Sequence, residues 1–343
     1  MNPARIILTN SLVCLIVAVV FAQTGKQVPP KKSSSGNLLV VNQHTNALEV
    51  VDTNAGRLLF SIPTTGIRGH EVAVLPNQRL AYVPIYGDSV VGQPGTDGRT
   101  VEVIDVDARR VLTSIDLGRP VRPHMAIFGP DGKLYVTAEL ANAIDIIDPR
   151  SQQRVASIPT QKPESHMMVI TQDGSRGYVT NINTGTVSAL DLVNHKSIAV
   201  IPVAKSVQRI GISADDDTVF TADQTDARMA AIDTSTNRVK QWIKLPAVGY
   251  GSRATPDGRW LLVALPKANQ VAVVDLKSMK VSRTIDVPAN PQEIILRPDH
   301  RVAFISCFSG GKVAELDLST WQITKSIEVG EGADGLAWMS GRH

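Results

Sequence analysis

The sequence predicts an all-β fold: a seven-bladed β-propeller with four-stranded antiparallel blades and a three-plus-one closure made by the two termini. Three observations predict it. An apolar run ending in Asp recurs seven times, each repeat holds four strand-like runs, and strand fragments at the two ends add up to one blade.

The recurring run reads LEVVD at Asp52, VEVID at Asp105, IDIID at Asp148, VSALD at Asp191, MAAID at Asp233, VAVVD at Asp275 and VAELD at Asp317, at intervals of 53, 43, 43, 42, 42 and 42 residues. Apolar, largely β-branched residues alternate through such runs with a period of two, as in strands, rather than 3.6 as in helices. In the repeat that holds His124 the runs cover residues 124–128, 133–137, 143–148 and 154–159. Pro130-Asp131-Gly132, Asn142 and Pro149 separate them, the residue types that turns require. The short carboxylate of each terminal Asp can accept backbone N–H bonds in the following turn, a structural reason for seven aspartates. Four strands in about 40 residues is one propeller blade. The chain begins its repeats with runs at 37–42, 47–52 and 57–62 and ends with a single one at 334–339. Pairing these fragments removes the open sheet edges of an unclosed array.

The 343 residues are 43% hydrophobic and 20% charged, with a net charge of +3. No basic stripe builds a nucleic-acid footprint, so no nucleic acid partner is expected. Residues 1–22 read as a signal peptide: a short basic start, an apolar stretch interrupted by Thr9-Asn10-Ser11, and a small residue, Ala22, before the cleavage point. The stretch is marginal for a stable membrane span. Residues 23–36, rich in Pro, Ser and Lys, read as a flexible linker, and 37–343 as the propeller. The expectation is an exported, periplasmic or secreted monomer with no membrane contact beyond the signal segment. Cys14 departs with that segment, which leaves Cys307 without a disulfide partner and best read as an inert thiol.

The second run of one repeat spells Tyr178-Val179-Thr180-Asn181, and Tyr135-Val136-Thr137-Ala138 nearly repeats it. With the Pro-Asp-Gly turns and the Asp-ended runs, the chain resembles the YVTN-type β-propeller repeat family. That resemblance implies an exported prokaryotic seven-bladed propeller. Related propellers include metal-assisted lyases, lactone-processing enzymes, redox-enzyme subunits and binding proteins, so the resemblance implies fold more than chemistry.

The innermost run of each blade starts with a polar residue: His70, His124, His166, Gln208, Tyr250, Gln292 and Asp334, at spacings of 54 and then 42 throughout. Polar side chains heading apolar strands suit a wet channel mouth, since burying them unpaired costs ~1–3 kcal/mol each. His70, His124 and His166 fall on consecutive blades. Three readings of them stay open: a zinc or copper site, a metal-free ligand pocket with one His as a general base, or polar filler. Arg68 and Arg122 lie two residues before the first two histidines, Arg209 one after Gln208, and Arg253 three after Tyr250; all four are expected at this mouth, where guanidinium forks suit a carboxylate or phosphate.

The extra length of the first interval falls at residues 86–99, expected to form a partial lid over the His70–His124 sector. No Gly-rich phosphate loop, nucleophile elbow or haem-attachment motif occurs. The function expected first is a binding protein that takes a small molecule or partner protein at the channel mouth. A metal-assisted hydrolase or lyase at the three histidines is the alternative, and the resemblance adds an accessory subunit of a periplasmic redox system.

Overall fold

Seven four-stranded antiparallel sheets, with almost no helix between them, form the seven blades of a propeller. The computed structural model describes Met1 and residues 35–75, 79–88 and 93–341. All the strands lie in the compact unit Ser34–His343. The expected signal segment and residues 23–34 of the expected linker lie outside the described residues; Gly36, expected to end the linker, already belongs to a strand.

Blade 1 holds Ala73–Val74, Leu80–Gly87, Asp97–Asp105 and Arg110–Asp116. Blade 2 runs from Pro123–Phe128 to Gln153–Pro159, blade 3 from Ser165–Ile170 to Lys196–Pro202, and blade 4 from Val207–Ile212 to Arg238–Lys244. Blade 5 runs from Ser252–Ala254 to Lys280–Asp286 and blade 6 from Pro291–Leu296 to Gln322–Glu328. The closing blade joins Ala333–Ser340, as its inner strand, to Gly36–Asn42, Ala47–Asp52 and Arg57–Pro63. Leu38 faces Trp338 and Leu39 faces Ala337 across that seam, which is the expected three-plus-one closure.

Burial follows the layering. Ala47–Asp52, third in its blade, is buried except at its last residue, whereas the outermost strand Arg57–Pro63 alternates exposed side chains with half-buried ones and the buried Ile62. A strand covered on both faces reads as a continuous apolar run, and one that is half wet alternates. Apolar cores then form between neighbouring blades, as where Leu38, Val40 and Leu336 of the closing blade pack with Phe304 and Val313 of blade 6.

Each Asp-ended strand is capped as its chemistry suggests. Asp52 Oδ1 accepts the backbone N–H groups of Asn54 and Ala55 at 2.9 Å, and Asp105, Asp148, Asp191, Asp233, Asp275 and Asp317 repeat the pattern. Four residues after each Asp the backbone turns left-handed: Gly56, Arg109, Gln152, His195, Asn237, Met279 and Trp321 have φ between 52° and 66°.

The YVTN run ties blade 3 to blade 4. The buried Tyr178 hydroxyl donates to Thr234 O at 3.2 Å and lies 3.2 Å from Asn237 Oδ1, both in a hairpin turn of blade 4. Thr180 Oγ1 donates to Gln208 O on the inner strand of blade 4, and Asn181 Nδ2 donates to Ser188 Oγ at 2.9 Å. Tyr178→Phe keeps the ring and removes the hydroxyl and its two contacts, while Thr234 O keeps its bond from Arg176 Nη1. It should lower unfolding free energy by ~1 kcal/mol, read from urea denaturation with an unchanged slope.

Candidate functional site

The seven ring residues head the inner strands, and two glycines decide how closely those strands converge. Gly335 N–H donates to His70 O at 2.9 Å, and Gly251 N–H donates to Gln292 O at 3.2 Å. A Cβ at either position would collide with the same carbonyl, so only glycine permits the approach. The axis is correspondingly tight, and polar side chains fill it. His124, His166, Asp334 and Arg209 are only 3–4% exposed, and His70 keeps 17% of its side chain exposed. The wet, open mouth expected from the sequence is therefore a packed one.

The three histidines do come together, ring on ring. His124 lies between the other two, 3.7 Å from the centroid of His166 and 4.5 Å from that of His70. Tyr86 packs against this arc, 4.8 Å from His70 and edge-on to His124 at 5.6 Å. His166 Nδ1 lies 3.2 Å from Glu139 Oε1, and the Tyr86 hydroxyl donates to Glu139 Oε2 at 2.5 Å. Burial depresses the His124 pKa far below its usual value, and His166 and His70 push it the same way. Burial also lowers His166, although the Glu139 carboxylate offsets part of that effect. Both imidazoles are therefore neutral at pH 7. His124 Nδ1 and His70 Nε2 are buried with no hydrogen-bond partner. Among the described residues, no group of three or more His, Cys, Asp or Glu side chains is disposed to hold a metal ion.

An ion cluster forms the opposite arc. Arg209 reaches Asp334 Oδ1 at 2.6 Å, Glu71 Oε1 at 2.8 Å and Glu293 Oε2 at 3.8 Å, and its guanidinium lies 5.1 Å from the Tyr250 ring centroid. Burial drives the Glu71 carboxyl well above its usual value despite Arg209, which favours a protonated Glu71 hydrogen-bonded to Glu293. Burial also opposes charge on Asp334, but Arg209 and His70 outweigh it and hold that carboxyl low. Gln43, just past the Gly36–Asn42 strand, joins the two arcs: its Nε2 lies 2.6 Å from Asp334 Oδ2 and 3.0 Å from His70 Nδ1.

Arg122 is buried and holds the insertion, donating from Nε to Asp97 Oδ1 at 2.6 Å and from Nη2 to Gln93 O at 2.7 Å. The two ends of the insertion lengthen the hairpin to Gly87 and Asp97, and Tyr86 at its base covers the histidines. Arg68 contributes through its backbone, with N–H to Asn46 Oδ1 at 2.7 Å and its carbonyl to Tyr86 N–H at 3.0 Å. Arg68, Arg122 and Glu164 all have positive φ, 49° to 61°, an uncommon conformation for residues with side chains and one that collects at functional sites.

The remaining ring positions sit apart. The half-buried Gln208 receives Thr180 at its carbonyl, and Gln292 Nε2 donates to Asn290 Oδ1 at 2.6 Å. Arg253 is a correction. It is exposed and lines a recess of 580 Å³ with Leu296, Ala337 and Trp338, beside the turns that follow the inner strands, at the far mouth of the channel. Three residues along a strand move a side chain about 10 Å, enough to change mouths. Cys307 is fully buried, and burial pushes its thiol pKa up to about 12, so it is inert. Tyr86, Gln43 and the cluster role of Glu139 lay outside the inner-strand alignment. Tyr86 and Glu139 had a weak signal in the insertion and the neighbouring loop; Gln43 had none.

The YNCE-like beta-propeller family model matches residues 123–341. The chain belongs to that family. Among solved structures, this YNCE-like propeller is similar to a chain of Kuenenia stuttgartiensis hydrazine synthase, with a TM-score of 0.71, 16% identity, and coverage of 86% of this chain and 99% of that one. At that identity the likeness is one of fold. No curated protein matches.

Two outcomes follow from the geometry. Arg209→Met leaves the Asp334 carboxylate buried without its cation and should cost about 3–5 kcal/mol at pH 8 by chemical denaturation. The loss should be smaller at pH 5, where Asp334, no longer held low by Arg209, takes up a proton more readily. In an imidazole NMR titration, His124 and His166 should remain neutral at pH 6, below the usual histidine pKa of about 6.5; a normal titration of either would show that burial is not controlling it.

Proposed function

We propose that this YNCE-like propeller is an exported binding protein that takes a small hydrogen-bonding molecule at the histidine mouth. The observation that supports the reading is that two buried nitrogens, His70 Nε2 and His124 Nδ1, have no hydrogen-bond partner, on rings whose centroids lie 4.5 Å apart. A buried polar atom without a partner carries a penalty of ~1–3 kcal/mol that a ligand relieves. The neutral His124 and His166 rings offer a donor and an acceptor without the penalty of burying charge. Tyr86 and the strand-built insertion supply the wall of the site, held by Arg122. Export rests on the apolar segment at residues 6–22.

The same neutral imidazoles favour a second reading, metal-assisted or general-base hydrolysis, because a neutral ring is the form that ligates zinc or copper and accepts a proton. One comparison separates the two. The mature protein, purified without chelator, is examined by native mass spectrometry and elemental analysis beside His124→Phe, which keeps the stacked ring and removes its nitrogens. An organic adduct that disappears in the variant supports the binding protein. About one equivalent of zinc or copper, or turnover of lactones and esters, that disappears with the substitution moves the site to the second reading. A parent free of both, even after incubation with zinc and copper, sinks both.

A further inference from the structure

Aromatic residues make up only 4% of the chain, and four of them are tryptophans. Trp260 of blade 5 and Trp321 of blade 6 stand edge to face, 5.5 Å between centroids and 78° between planes. Both line a groove of 790 Å³ between the Pro256-Asp257 turn of blade 5 and the Asp317–Trp321 turn of blade 6, with His300 and Arg301 completing the wall. The first turn follows the inner strand of blade 5 and the second joins the third and fourth strands of blade 6, both on the face away from the histidine mouth, so the groove is a separate site.

Trp321 occupies the left-handed turn position that other blades fill with Gly56, Arg109, Gln152, His195, Asn237 and Met279. A bulky aromatic at φ 60° is a strained choice, and no turn geometry asks for it. The indoles are also braced. Arg283 lies 5.9 Å from the Trp260 centroid and 5.3 Å from that of Trp321, and Arg259 lies 4.6 Å from Trp260. In the same turns, Asp257 and Asp317 have their Oδ1 atoms held by turn N–H and hydroxyl groups, and among the described residues no hydrogen bond reaches the Oδ2 atom of either.

We infer that this groove binds an oligosaccharide. A pyranose ring presents C–H faces to a flat aromatic wall and pairs of hydroxyls at its edge. Two braced indoles supply the wall; two oriented carboxylates, Arg301 and His300 supply planar hydrogen-bonding groups for the hydroxyls. The volume falls within the range of small-molecule sites.

The experiment is titration of the mature protein with cellotetraose, maltotetraose, chitotriose and trigalacturonate, followed by tryptophan fluorescence and calorimetry, beside Trp321→Asn. Asparagine suits the left-handed position, as Asn237 does in blade 4, so the variant should melt at the same temperature as the parent or higher. At least one sugar should bind the parent saturably, and the variant should bind it at least tenfold more weakly. No saturable sugar binding by the parent overturns the inference. Equal binding by the variant does so too, as does a marked fall in its melting temperature, which would make Trp321 a packing residue. Saturable binding of a dT12 strand in place of the sugars would assign the groove to another ligand class.

Discussion

Everything in this molecule depends on one antiparallel pairing, between Gly36–Asn42 and Ala333–Ser340. A blade alone leaves its apolar faces and its strand edges uncovered, and only a closed ring covers them all. The same pairing assembles the site. It places Asp334 beside His70 and Arg209, and it delivers Gln43 from the turn after the partner strand. A repeat array stopped short of this seam would carry the histidines without the carboxylate and amide beside His70.

Within the closed ring the axis is divided electrostatically. One arc is a stack of three imidazoles, two of them kept neutral by burial. The other is a single guanidinium shared by three carboxyls. Buried ion clusters stabilise weakly, because the desolvation of each charge offsets most of the attraction. What this one contributes is position: Arg209 holds Asp334, and Asp334 lies 3.4 Å from His70 at the edge of the histidine stack. The glycines at 251 and 335 make that possible by letting neighbouring inner strands touch where a side chain would part them.

The sequence was informative wherever the repeat speaks. The Asp-ended runs and their turn residues located strands to within a residue or two, because a blade tolerates little variation in length; the run at 143–148 coincides with the strand. Equal spacing then brought His70, His124 and His166 to one place. It could not show that Arg209 folds inward onto Asp334 and closes the mouth, since a long side chain's direction is settled by partners from other blades. Arg253 was misplaced because the alignment followed distance from the ring residue and neglected how fast an extended strand travels. Tyr86, in the lengthened hairpin, and Gln43, in a turn, sit where the repeat departs from itself. Trp321 is likewise invisible as a strained residue until the turn four positions beyond Asp317 is seen to be left-handed.

The closing seam also sets the order of events as the chain emerges. Leu38 must wait for Trp338, so one edge of the Gly36–Asn42 strand, already paired with Ala47–Asp52 on the other, has no partner until some 300 residues later. Contacts that distant in sequence form slowly. Until the last strand arrives, three-quarters of a blade presents an open apolar edge.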